Sequence, residues 1–193
     1  MSYEGAEIAM TRTRIDSFII GFLYPAVLGV FLFNLLDGFS TLNRHWSYGV
    51  LPLLYLCTQY VEADTSKNRK VSSWPKQVTF FVLELVEMTM FYQLLVSLGL
   101  AKPVLAKTVS FDPYFYALAI MLIIPVFQRL IRGFKTSHKG FCKTILSLIV
   151  FGFALAAAYM QNETAECVAM WLFAIALVWY AAIIYSYNKS KDA

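Results

Sequence analysis

Charge is what this sequence has least of. Of 193 residues only 15% are Asp, Glu, Lys or Arg, whereas 59% are hydrophobic and 17% aromatic. A soluble domain carries about 25% charged residues, so this chain has too few to coat a water-facing surface. With a mean hydropathy of +0.60, the shortage excludes a soluble globular enzyme and a disordered chain. Nine glycines and six prolines exclude a collagen-like fibre. Three cysteines and two histidines leave nothing for a structural zinc site: there is no CxxC and no Cys/His cluster. His45 and His138 fall in different connections, which removes a shared metal, a haem or a catalytic dyad. Also missing are HExxH, GxSxG, a Gly-rich phosphate loop and any nucleic-acid signature. An enzyme is therefore not expected, nor is a cofactor or a metal.

What is present is a series of apolar runs. They predict an all-α, polytopic helical membrane protein, one transmembrane domain over 1–193, with spans at about 17–36, 46–61, 78–98, 114–130, 144–160 and 167–187. Helices satisfy their own backbone in lipid, as spanning segments must. The second run is the weakest, being short and carrying Pro52, and a tilted or re-entrant course suits it equally. The first run lacks a small-residue cleavage site and reads as an anchor, not a removed signal peptide. No lysine falls inside a span, which removes a retinal-type Schiff base.

Orientation follows from Lys and Arg, which collect on cytoplasmic loops. With the N-terminus inside, the inner side holds Arg12, Arg14, Lys67, Arg69, Lys70, Lys76, Arg129, Arg132, Lys135, Lys139, Lys143, Lys189 and Lys191. Only Arg44, Lys102 and Lys107 of the 16 basic residues then lie outside. Both termini are expected in the cytoplasm, with basic inner loops at about 62–77 and 131–143. A five-span arrangement would put one of those loops outside. A bacterial inner membrane is the expected location. Trp46, Tyr48, Tyr114, Tyr116 and Tyr159 fall near outer span ends, and Trp74, Tyr185 and Tyr187 near inner ends, as interface anchors do. Cys57, Cys142 and Cys167 give no intramolecular outer disulfide, because only Cys167 lies near the oxidising side. Asn162-Glu163-Thr164 matches a glycosylation sequon but hugs the membrane and is discounted.

The most informative residues are Glu84 and Glu87, three apart on one face of span three. At 1.5 Å per residue from Val78 they lie about 9 Å and about 13 Å deep. A charged carboxylate there costs on the order of 2.5–3.5 kcal/mol, so at least one is expected protonated, and both are expected to face a bundle interior. One reading is a cation or proton site in the company of Gln93 and Asn34, with Thr89 and Tyr92 nearby. The other is interhelical hydrogen bonding, reaching Gln128 or Arg129 of span four. A second feature is the run Arg129, Arg132, Lys135, Lys139 and Lys143, at intervals of 3, 3, 4 and 4. On a continued helix these form one basic stripe, suited to anionic lipid headgroups at about 1 kcal/mol each or to an acidic cytosolic protein. The ordinary positive-inside signal explains the same charges without any ligand. Gly21, Pro25 and Gly29 in span one, and Gly152 and Ala156 in span five, are spaced for close helix approach within the chain or between copies. Pro25, Pro52 and Pro125 are expected to kink their spans.

Two functions fit. The first is a non-enzymatic, homo-oligomeric membrane sensor or scaffold that anchors a soluble cytosolic partner at its basic loops. Small multi-span subunits of bacterial stress and antiviral-defence systems share that build. The alternative is a small transporter, channel or substrate-binding subunit that uses Glu84 and Glu87.

Overall fold

The computed structural model describes residues 18–38, 46–65, 74–101, 111–132 and 138–189. All regular structure among them is helical. A π-helical turn, Ile19–Leu23, leads into α1 (Tyr24–Asp37). Then come α2 (Trp46–Thr65), α3 (Trp74–Ser97), α4 (Phe111–Arg132), α5 (His138–Met160) and α6 (Glu163–Lys189). Five stretches are long and apolar enough to cross a bilayer: Ile19–Asp37, Pro75–Ser97, Pro113–Ile131, Phe141–Met160 and Glu163–Tyr185. The remaining helix, α2, runs unbroken through Pro52 for 20 residues, about 30 Å. It has the length of a span, but Gln59, Glu62 and Asp64 near its end make it more polar than the other five. It reaches Thr65 where the apolar run alone ends at Val61, because a polar last turn is still good helix.

Local chemistry shapes the ends. Pro25 lacks an N–H and its ring crowds the carbonyl one turn back. The preceding turn widens accordingly, and the Tyr24 N–H bonds Ile19 O in an i→i−5 contact. Helix α3 closes with Gly99 in the left-handed region (φ 70°) and the Leu100 N–H on Leu95 O at 2.9 Å, a Schellman-type stop that glycine makes without strain. Gly38 ends α1 against the same corner; a Cβ there would run into Leu100. Gln161 and Asn162 alone connect α5 to α6, and Asn162 Oδ1 accepts the Thr164 N–H at 2.9 Å as an N-cap. The asparagine of the sequon is thus engaged in capping α6.

Packing arranges the helices in a closed ring whose order is α1, α3, α4, α5, α6, α2 and back to α1, with α2 and α3 also touching. Helix α4 is the most enclosed, with 50% of its span buried against 17–33% for the other four. Large apolar side chains such as Phe33, Leu36, Trp171, Val178 and Trp179 cover the outside, a surface suited to hydrocarbon and not to water. Inside, one half of the ring is filled with aromatic rings. Phe31 meets Phe91 edge-on at 6.1 Å, Tyr48 meets Tyr114 at 5.3 Å and Phe115 at 6.0 Å. The Tyr114 hydroxyl donates to Tyr48 O at 2.7 Å. The other half is the end where α2 stops and α5 starts, called here the basic end, and it is built differently.

Candidate functional site

A polar side chain can point into an apolar bundle only at a high cost unless neighbouring helices answer it. Glu84 is answered twice. The Tyr24 hydroxyl of α1 donates to Oε2 at 2.8 Å, and Gln128 Nε2 of α4 donates to Oε1 at 2.9 Å. One carboxyl group therefore ties three helices, α1, α3 and α4, together.

Glu87, one turn further along α3, is in a different position. It is 1% exposed, and its Oε1 has no hydrogen-bond partner. Across the interior stands Tyr55 of α2, whose buried hydroxyl also lacks a partner of hydrogen-bond geometry. Gln59, one turn on, is near enough for a loose hydrogen bond to that hydroxyl, and Glu87, Glu62 and Arg129 are near enough to act on it through their charge. A buried polar atom left unsatisfied costs about 1–3 kcal/mol, and two of them face the same part of the ring. The rings of Phe91 and Phe173 pack on Tyr55 at 6.2 and 5.8 Å and hold it in place.

Nearer the basic end the interior turns ionic. Lys143 Nζ pairs with Glu62 Oε1 at 3.0 Å and lies 4.3 Å above the Tyr180 ring. Arg129 donates to Thr144 Oγ1 at 2.8 Å. Polar groups thus extend from the basic end to the middle of the bundle, about 20 Å along α3 at Glu87, and give way there to the aromatic half.

The sequence-derived candidates divide accordingly. Glu84 and Glu87 are brought together with Gln128. Asn34 donates to Val30 O of its own helix at 2.7 Å, and Thr89 to Leu85 O at 2.8 Å. Gln93 lies half-buried on α3, and its backbone carbonyl accepts from the Ser97 hydroxyl at 2.9 Å. No described hydrogen bond links Asn34 or Gln93 to the glutamates. Of the basic stripe, Arg129 and Lys143 turn inward to the ionic cluster. Arg132 and Lys139 lie at the ends of α4 and α5 with side chains outside the described set, and Lys135 lies outside the described residues. Tyr24, Tyr55, Glu62 and Tyr180 were not anticipated. Three are hydroxyls within apolar runs that read as hydrophobic, and Glu62 falls just past the apolar part of α2.

Among the described residues no group of three or more His, Cys, Asp or Glu could hold a metal ion. Comparison with protein-family models, with curated proteins and with solved structures finds no match.

Proposed function

We propose that this protein is a small multi-pass membrane transporter or transport subunit in which Glu87 takes up and releases a proton or small cation. The observation that carries the reading is the Glu87 carboxyl group, fully enclosed with one oxygen lacking a partner. A purely structural carboxyl group would be satisfied, as Glu84 is. In this reading Glu84 is the positioning residue, fixed by Tyr24 and Gln128, and its charge tunes the neighbouring group. The polar half lies toward the basic end, which in this reading the positive-inside rule assigns to the cytoplasm of a bacterial inner membrane. The aromatic half is the closed side, so the arrangement fits loading from one side and not an open pore. The test is purified protein in liposomes containing a pH-sensitive dye, with an imposed proton or cation gradient. Wild-type protein passes flux and Glu87→Gln does not, while inserting and purifying equally; equal flux from the two would refute the reading.

A second reading, an oligomeric sensor or scaffold holding a cytosolic partner, is favoured by a separate observation. At Gly21 and Gly29 of the first span and Gly152 of α5, an added Cβ would meet nothing within 4 Å. These close-approach surfaces are not used inside the chain and suit a second copy. Purification as a monomer without flux-independent partners would count against it.

A further inference from the structure

The ionic cluster encloses a space that the proton or cation reading does not use. Between α2, α4, α5 and α6 lies a cavity of about 30 Å³ bordered by Tyr55, Gln59, Arg129, Lys143, Ser147 and Tyr180 among other residues. About 10–15 Å³ by the same measure holds one water, so the space takes two waters or the oxygens of one small group. Its walls carry two cations and no carboxylate; Glu62, paired with Lys143, lies outside the lining. Its polar lining is rich in donors: a guanidinium, an ammonium, three hydroxyls and an amide. One of them, the Tyr55 hydroxyl, is buried with its residue only 6% exposed, and the Gln59 side chain beside it does not reach good hydrogen-bond geometry. Pro125 borders the cavity from inside α4. Its ring lacks the N–H that would tie it to Met121 O.

We infer that this cavity is a binding site for an oxyanion of the phosphate or carboxylate type. Arg129 supplies the planar fork that suits two oxygens of such a group. Lys143, held by Glu62 and by the Tyr180 face, supplies the second charge, and Tyr55 donates the short contact that it otherwise lacks. The site size excludes an organic body inside the cavity, so the oxyanion is either free in solution or the head of a lipid whose chains remain outside. Binding here needs no transport and is measured without it.

The experiment uses full-length protein in phosphatidylcholine nanodiscs, titrated with inorganic phosphate by calorimetry. A parallel sample contains added phosphatidylglycerol, and native mass spectrometry counts the lipids retained. Wild-type protein is expected to bind one phosphate saturably, or to retain one anionic lipid; the two arms tell free anion from headgroup. Arg129→Gln should weaken binding at least tenfold. Tyr55→Phe, which keeps the ring packing and removes one hydrogen bond, should weaken it about fivefold. The absence of both phosphate binding and selective lipid retention in wild type would overturn the proposal. So would binding equal to wild type in Tyr55→Phe, a variant that preserves the fold even if Arg129→Gln does not.

Discussion

Glu84 and Glu87 are the same residue type on the same face of one helix, yet replacing each by Met should shift stability in opposite directions. Met matches Glu closely in length and volume, so neither change opens a large void. At position 84 the substitution removes two interhelical hydrogen bonds, each worth about 0.6–1.7 kcal/mol inside a membrane protein. It also leaves the Tyr24 hydroxyl and Gln128 amide without their acceptor, and an unsatisfied group of that kind costs about 1–3 kcal/mol. Allowing for partial relaxation, Glu84→Met should lose about 2–4 kcal/mol. At position 87 nothing equivalent is lost on the Oε1 side. Removing a buried polar atom that has no partner recovers about 1–3 kcal/mol, as replacement of buried ionic groups by well-packed apolar ones often does. Glu87→Met should therefore be more stable than wild type. The assay is dodecyl sulfate titration in mixed micelles, followed by the fluorescence of the four tryptophans, with refolding to show reversibility. If both variants lose stability equally, Glu87 is as well satisfied as Glu84, and the argument that its carboxyl group is kept for binding collapses.

Two further predictions concern packing and charge. Gly38→Ala should cost about 1 kcal/mol in the same titration, since its methyl group meets the end of the Leu100 side chain, which must turn aside at the α1–α3 corner. Gly29→Ala, where the added methyl meets open space, should be neutral or stabilising by up to about 1 kcal/mol; equal losses at the two glycines would contradict the corner geometry. Lys143→Met should lose about 1–2 kcal/mol, discounted for side chains that are 11% and 23% exposed. Adding Glu62→Met should restore most of that loss, and an additive double variant would mean that the pair is not coupled.

Much of the helical layout can be read from the sequence because hydrocarbon imposes one strong rule on every span. Apolar runs mark all six helices, most of whose ends the structure extends by a few residues, since polar turns such as that at His138–Lys143 continue a helix past the apolar window. The same rule marks α2 only as far as Val61, because its last two turns carry Gln59 and Glu62 inside a bundle. The face shared by Glu84 and Glu87 is also legible, because spacing of three on a helix fixes it. Their different fates are not, because they depend on which helix lies opposite. Tyr24 reaches Glu84 across 60 positions of sequence and Gln128 across 44. Lys143 shows the limit most plainly: as a basic residue at a loop boundary it reads as a surface charge, and only the position of Glu62 and Tyr180 turns it inward.

The closed ring has a consequence for how the protein must be made. Helices α1 and α2 are neighbours, but the far side of α2 is covered by α6, the last of the six helices to leave the ribosome. At about 5–20 residues per second, roughly 6–25 s pass between the emergence of Thr65 and of Lys189. During that interval Tyr55 and Glu62 have neither Phe173, Tyr180 nor, for most of it, Lys143 beside them. The nascent chain must hold an acidic, half-built wall at the membrane until its final helix arrives to seal it.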